Sequence, residues 1–258
     1  MFYVCSMLTN MQSPLLKCNP HAEETPVTLS VEELKSKLCV SSSLQKEVEL
    51  ATRDQANSTL WHQCRSVRLT SSNFGRVYRR KSNHKTLAKE LMSSDRRRIS
   101  AAPIQWGIEN EHVAYDRYVH TLASSSPTFK VRKSGLWIDT SKGWLACSPD
   151  GVIEEDGALV GVLEIKCPYS ARDMSPIEAC DKLPTFSCQL IDRQLTLKRT
   201  HNYYFQVQGQ LAITGAKWCD FFVYTSCGFE IERIYPDPSL WDDVLQVLDN
   251  FFHHIVYL

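Results

Sequence analysis

Residues 151–166, GVIEEDGALVGVLEIK, narrow the fold more than any other stretch of the chain. Two β-rich runs flank Asp156-Gly157, a dipeptide suited to the left-handed backbone of a two-residue hairpin turn. The spacing predicts two antiparallel strands, and the second is strongly apolar yet ends in Glu164 and Lys166. Side chains alternate faces along a strand, so these two charges point the same way while Ile165 enters the opposite packing layer. Asp150 begins the turn before the hairpin, which folds the chain back so that Asp150 approaches Glu164. Two carboxylates and an ammonium then converge at one strand end.

That set suits a hard divalent cation, Mg²⁺ or Mn²⁺, because a metal held by two carboxylates keeps waters that can be activated against a phosphodiester. An ammonium beside such a water favours its hydroxide form and supports charge developing on the phosphate. A third carboxylate comes from WGIENEHVAYDRYVHTL, residues 106–122, where Ile108, Tyr115, Tyr118 and Leu122 recur at helical spacing. Glu111 shares that stripe, and a charge on the buried side of a helix is costly unless paired or metal-bound. It is therefore expected to complete a second metal position. Taken singly, Glu164 and Lys166 read as an edge-strand ion pair and Asp150 as an ordinary turn residue. Together, Pro149-Asp150, a hairpin-length gap and Glu164-Ile165-Lys166 form the P-D-x(n)-E-x-K arrangement of metal-dependent nucleases.

With 43% hydrophobic residues, 258 residues are ample for a real core. Residues 1–28, with Pro14, Pro20 and Pro26, show no sustained period and read as a poorly ordered tail. Residues 29–258 read as one mixed α/β domain with a helical extension over 29–60. Ser30 and Glu33 form a capping box, a second helix runs from Ser43 to about Asn57, and Ser71 or Ser72 caps a further one. GLWIDT and GWLACS read as strands, KWCDFFVYT and FEIERIY as a hairpin, and PSLWDDVLQVLDNFFHHIV as a closing amphipathic helix. HNYYFQVQGQLAIT fits a helix ending at Gly215 or, by its alternating glutamines, a strand.

Lys plus Arg and Asp plus Glu are both 29, so net charge excludes neither nucleic acid nor its absence. The distribution is uneven. Arg65, Arg68, Arg76, Arg79, Arg80, Lys81, Lys85, Lys89 and Arg96–Arg98 are opposed only by Glu90 and Asp95, whereas the chain beyond Glu230 is acidic. A basic face suited to phosphates is expected, although Arg96–Arg98 by themselves read as a solvated run. The ten cysteines contain no C-x-x-C, which gives a structural zinc site little support. No apolar run approaches a membrane span, so the expectation is a soluble intracellular protein, with nucleus and cytoplasm not distinguished.

In order along the chain, LWHQCRSVRLTSS, WGIENEHVA, ACSPDG, LEIKCPYSARD and YYFQVQGQ resemble the λ-exonuclease or YqaJ-type viral recombinase family, a branch of the PD-(D/E)xK nucleases. The resemblance runs from about Trp61 to Tyr235. It implies a restriction-endonuclease-like α/β core, with a central mixed sheet flanked by helices. It also implies a deoxyribonuclease using two Mg²⁺ or Mn²⁺ ions, a 5′-to-3′ exonuclease on duplex ends in recombination or repair. By this resemblance Asp150, Glu164 and the Ile165 carbonyl ligate metal, Glu111 assists and Lys166 activates the water. YYFQVQGQ becomes a helix lining the site, with Gln206 and Gln208 matching the glutamine motif and Gln208 orienting the lysine or water. A 5′-phosphate pocket maps onto Arg65, Ser72, Ser148 and Arg172, with Ser71 as the alternative to Ser72.

The implied partners are duplex DNA with a 5′-phosphorylated end, further copies in a trimeric ring and a single-strand-annealing recombinase. The first sixty residues and SPIEACDKLPTFSCQLIDRQLTLKRT, residues 175–200, depart from the compact phage enzyme and bear on that assembly. Trp61 is expected in the core, and His253-His254 on the last helix without a catalytic role. Two alternatives remain: an endonuclease on the same core, and a weakly catalytic DNA-end-binding recombination module, against which the complete set of acids and lysine argues.

Overall fold

The computed structural model describes residues 30–92 and 102–256. The tail expected over 1–28 and the Arg96–Arg98 run lie outside the described residues. Helix α1 (Val31–Leu38) opens with the expected capping box, in which Ser30 Oγ accepts from the Glu33 N–H (3.2 Å) and Glu33 accepts from the Ser30 N–H (2.8 Å). Helix α2 (Ser42–Ala51) stops short of Asn57, and a 3₁₀ turn at Gln55–Asn57 follows it. Helix α3 (Thr59–Ser66) and strand β1 (Leu69–Thr70) lead to α4 (Phe74–Tyr78), which neither Ser71 nor Ser72 caps because both belong to a preceding 3₁₀ turn. Helices α5 (His84–Met92) and α6 (Ala102–Ser125) complete the N-terminal half.

Strands β2 (Phe129–Lys133), β3 (Trp137–Ile138), β4 (Leu145–Cys147), β5 (Gly151–Glu155) and β6 (Ala158–Lys166) follow. Asp156 and Gly157 take φ of 51° and 78°, the left-handed turn expected between β5 and β6. Helix α7 (Pro176–Lys182), strands β7 (Cys188–Ile191) and β8 (Gln194–Leu197), and helix α8 (Asn202–Thr214) precede β9 (Trp218–Thr225), β10 (Gly228–Ile234) and the closing helix α9 (Pro238–Val256).

The central sheet has the order β10-β9-β6-β5-β2, with β6 and β9 parallel and the other pairs antiparallel. Strand alternation sends Leu163 and Ile165 to one face, against Ala114, Tyr118 and Leu122 of α6. Val162 goes to the other face, against Tyr204, Val207 and Leu211 of α8. A second sheet, β1-β4-β3, carries the chain into the loop that holds Asp150. The 175–200 segment is no loose appendage, since Ala179, Phe186, Cys188, Leu195 and Leu197 share the α8-side core and the Leu197 N–H donates to Glu232 (2.5 Å).

The helical extension is tied to the sheet by side chains. Gln45 accepts from the Ile138 N–H (2.6 Å), Thr52 Oγ1 from the Leu136 N–H (2.8 Å) and Glu49 from the Gly135 N–H (3.0 Å). A Cβ at Gly135 would lie 1.9 Å from the Glu49 carbonyl oxygen, so this approach requires glycine. Buried Glu49 also accepts from Arg53 and from Arg132. Burial works to raise its pKa, but the Arg53, Gly135 and Arg132 hydrogen bonds outweigh burial and hold the carboxyl below its usual range. A depressed folded-state pKa contributes stability above the unfolded value that is lost as pH falls through the folded one. Glu49→Gln is therefore expected to cost about 1–3 kcal/mol near neutrality. That deficit should close as pH drops below the ordinary carboxyl range, which urea unfolding at a series of pH values measures. Among the described residues no helix is long and apolar enough to cross a membrane.

Candidate active site

The site is built outward from the end of β6. Glu164 is buried on the α8 face, where Lys166 and Gln206 Nε2 (2.6 Å) donate to its Oε1 and Gln210 Nε2 (2.5 Å) donates to its Oε2. Gln206 and Gln210 stand four residues apart on α8, so they present one face to the carboxylate. Gln208 does not join them. Its Nε2 donates to the Tyr235 carbonyl (3.0 Å) and its Oε1 accepts from the Asp237 N–H (2.8 Å), fixing the β10–α9 connection instead. The reason is helical geometry, since a residue two positions on points to the far side of the helix.

Lys166 lies next to Glu164, with Nζ 4.4 Å from the centre of the Tyr203 ring. Burial would depress its pKa, but Glu164, Tyr203 and Asp150 outweigh that and raise it above the ordinary lysine value. Asp150 is half-buried in the β4–β5 loop, where its Oδ2 accepts from the Ile165 N–H (2.6 Å) and its own N–H donates to the Leu163 carbonyl (2.9 Å). Burial, then the neighbouring Glu164 and Glu111 charges, push its pKa well above the usual range. The site thus holds crowded carboxylates and one ammonium.

Glu111 corrects the sequence reading. Helix α6 buries Ala114, Tyr118 and Leu122, but Ile108 is 65% exposed and Glu111 is exposed as well. The first turns of the helix lie largely open to solvent, so the stripe read through Ile108 does not continue into the core. Glu111 instead stands at the mouth of the site, close enough that partial burial and the Glu164 charge raise its pKa. Among the described residues, no three His, Cys, Asp or Glu side chains form a ready-made metal-ligand cluster.

Beside the loop, Arg65 and Ser148 come together. Arg65 Nη1 is 3.5 Å from Ser148 Oγ, the Trp61 Nε1–H donates to the same oxygen (2.9 Å), and the guanidinium lies 4.0 Å from the centre of the Trp61 ring. Half-buried Trp61 packs against the Val48–Cys64–Leu136 core, as expected, and its N–H also holds this pair. Ser72 is exposed and touches Thr70 Oγ1 (3.3 Å), whereas Ser71 is buried. Arg172 covers the Tyr169 ring (4.2 Å) and pairs with Asp173 (3.2 Å). Among the described residues no hydrogen bond joins either of these to Ser148. Arg68 leaves the basic face altogether, because its buried guanidinium donates to the carbonyls of Leu38, Cys64 and Gly143.

A mixed α/β core that gathers Asp150, Glu164 and Lys166 at one strand end defines a PD-(D/E)xK-like fold. The chain belongs to the YqaJ-like viral recombinase domain family, whose model matches residues 60–217. Among solved structures it is similar to the alkaline exonuclease LHK-Exo from Laribacter hongkongensis, with a TM-score of 0.56 at 23% identity over 76% of this chain and 91% of that one. The same exonuclease in complex with dAMP gives 0.56 at 25% identity, over 74% and 89% of the two chains. The SOX protein of KSHV in an RNA complex gives 0.54 at 14% identity over 87% of this chain and 74% of that one, a likeness of fold alone. Comparison with curated proteins gives no match.

Proposed function

We propose that this chain is a divalent-metal-dependent deoxyribonuclease that removes nucleotides from duplex DNA ends in the 5′-to-3′ direction, in recombination or repair. The observation that carries the reading is the joint placement of Asp150, Glu164 and Lys166 at the end of β6, in a chain whose fold matches an alkaline exonuclease. Asp150, Glu164, the Ile165 carbonyl and Glu111 offer hard oxygen donors of the kind Mg²⁺ or Mn²⁺ takes. The residues fit such ions, because carboxylate crowding that lifts the Asp150 and Glu111 pKa values is what a cation relieves. When bound, divalent ions supply Lewis-acid stabilisation of phosphate charge and lower the pKa of water.

The chain's own residues supply the rest. Gln206 and Gln210 lock the Glu164 carboxylate in one orientation, using three of its roughly four acceptor positions together with Lys166. Lys166, held beside Glu164 and the Tyr203 ring, acts as a cationic donor toward the attacking oxygen and the scissile phosphate. Arg65 and Ser148, aligned by Trp61, form the heart of a 5′-phosphate pocket, with Ser72 and Arg172 at its margins. The substrate in this reading is duplex DNA with a 5′-phosphate; a trimeric ring and an annealing recombinase are the partners that accompany it.

The pocket gives a direct test of substrate. Loss of a charge-assisted hydrogen bond costs about 1.5–3 kcal/mol, roughly tenfold to a hundredfold. Arg65→Ala should reduce by that factor the preference for 5′-phosphorylated over 5′-hydroxyl duplex, measured as the ratio of nucleotide release rates. An unchanged ratio would remove Arg65 from the pocket.

A further inference from the structure

The helical extension reaches the Asp150 loop through one side chain. Gln55 Nε2 donates to the carbonyls of Ser134 (2.8 Å) and Pro149 (2.9 Å) at once. Pro149 is buried and has no N–H, so its carbonyl is the one main-chain group through which the loop can be held there. The next residue is Asp150, whose N–H and carboxylate are held from the other side by Leu163 and Ile165. The Gln55 amide therefore completes a three-point fixation of the Pro149–Asp150 peptide.

Two further observations give the clamp its direction. Gln55 takes φ 42°, a left-handed backbone that residues other than glycine avoid, and it does so where its amide reaches both carbonyls. Its base is rigid, since Glu49 and Thr52 of the same segment hold the Gly135 and Leu136 N–H groups next to Ser134. Gln55 lies before residues 60–217, outside the stretch that the family model matches.

We propose that Gln55 is a positioning residue for Asp150, a part supplied to the site by the N-terminal extension; the proposal rests on the nuclease reading above. Without the amide, the Pro149–Asp150 peptide shifts and Asp150 loses its alignment with Glu164. A displacement on the order of 1 Å at a reacting centre lowers rate about 10²-fold.

The test uses Gln55→Gly in the full chain. Glycine adopts the left-handed backbone freely, and that relief offsets the cost of leaving the Ser134 and Pro149 carbonyls without their shared donor. The thermal midpoint should stay close to wild type, and KM for duplex DNA should change less than about twofold, while kcat falls about 10²-fold. Calorimetric titration of the DNA-free protein with Mn²⁺ should show affinity weakened about tenfold, as for loss of a group that orients a metal ligand. Wild-type kcat together with wild-type Mn²⁺ affinity in the variant would overturn the assignment. A lowered midpoint, with kcat, DNA affinity and Mn²⁺ affinity falling together, would overturn it too, since that pattern marks a merely structural residue. Should wild type release no nucleotide, the nuclease reading fails and the Mn²⁺ titration decides Gln55 alone: weaker binding supports it and equal binding refutes it.

Discussion

Lys166→Met is expected to lower kcat on duplex DNA by about 10³-fold while the chain stays folded. Methionine keeps the length and apolar stem of lysine and removes only the ammonium. Glu164 would lose its cation but keep the Gln206 and Gln210 amides, so the buried carboxylate is not orphaned. Breaking a buried ion pair costs about 3–5 kcal/mol when nothing else compensates, and the two amides place the expected cost at the lower end. Circular dichroism and a thermal melt separate this modest loss from the catalytic one. Lys166→Arg should not rescue, because the planar guanidinium cannot occupy the point position between Glu164 and the Tyr203 face. A Met variant with near wild-type kcat would show that the ammonium has no part in the reaction.

Asp150→Asn has a double signature. Turnover should fall by more than about 10³-fold, as for loss of a metal ligand. In divalent-free buffer, however, the variant should melt higher than wild type, by about 2–4 °C for each kcal/mol gained. The gain arises because ionised Asp150 is held against burial and against the Glu164 and Glu111 charges, and an amide removes that repulsion while still accepting from the Ile165 N–H. Added Mg²⁺ should raise the wild-type midpoint and leave the variant's unmoved. Calorimetry of both proteins with and without Mg²⁺ checks this, and a variant that melts lower in divalent-free buffer contradicts it.

Local signals made part of this legible in the sequence. Asp156-Gly157 marked the β5–β6 hairpin, Ser30 with Glu33 marked the start of α1, and the apolar period of 238–256 marked α9. Where the signal was missing, so was the element. β7 and β8 are joined through Asp192 and Arg193, which take φ of 50° and 64° without a glycine, so nothing in the dipeptide announced a turn. β2 is an edge strand with no fully buried residue, and its alternation is weak.

The site was legible in its acids and lysine and less so in its supports. The chain's Gln206, Gln208 and Gln210 are all buried on α8, so burial cannot say which two face Glu164; only the helical period selects 206 and 210. Glu111 seemed buried because the stripe was extended one turn beyond the part of α6 that packs on the sheet. Trp61 was legible as a residue packed on the core, but an indole gives no sign in sequence that its N–H also serves Ser148. The clamps from Glu49 to Gly135, Thr52 to Leu136 and Gln55 to Pro149 join residues 84 to 94 positions apart, a separation that propensity and periodicity do not reach.

Hydrolysis from DNA ends at the Asp150–Glu164–Lys166 site is the activity on which the proposed function stands or falls. Its most direct measurement offers the purified full chain two substrates in Mg²⁺, a linear 5′-phosphorylated duplex labelled at its 5′ end and a closed circular duplex. Early release of labelled mononucleotide from the linear substrate is expected, with an intact circle and neither product when chelator replaces Mg²⁺. Cutting of the circle would make the protein an endonuclease, and an untouched linear duplex in Mg²⁺ or Mn²⁺ would contradict the nuclease assignment.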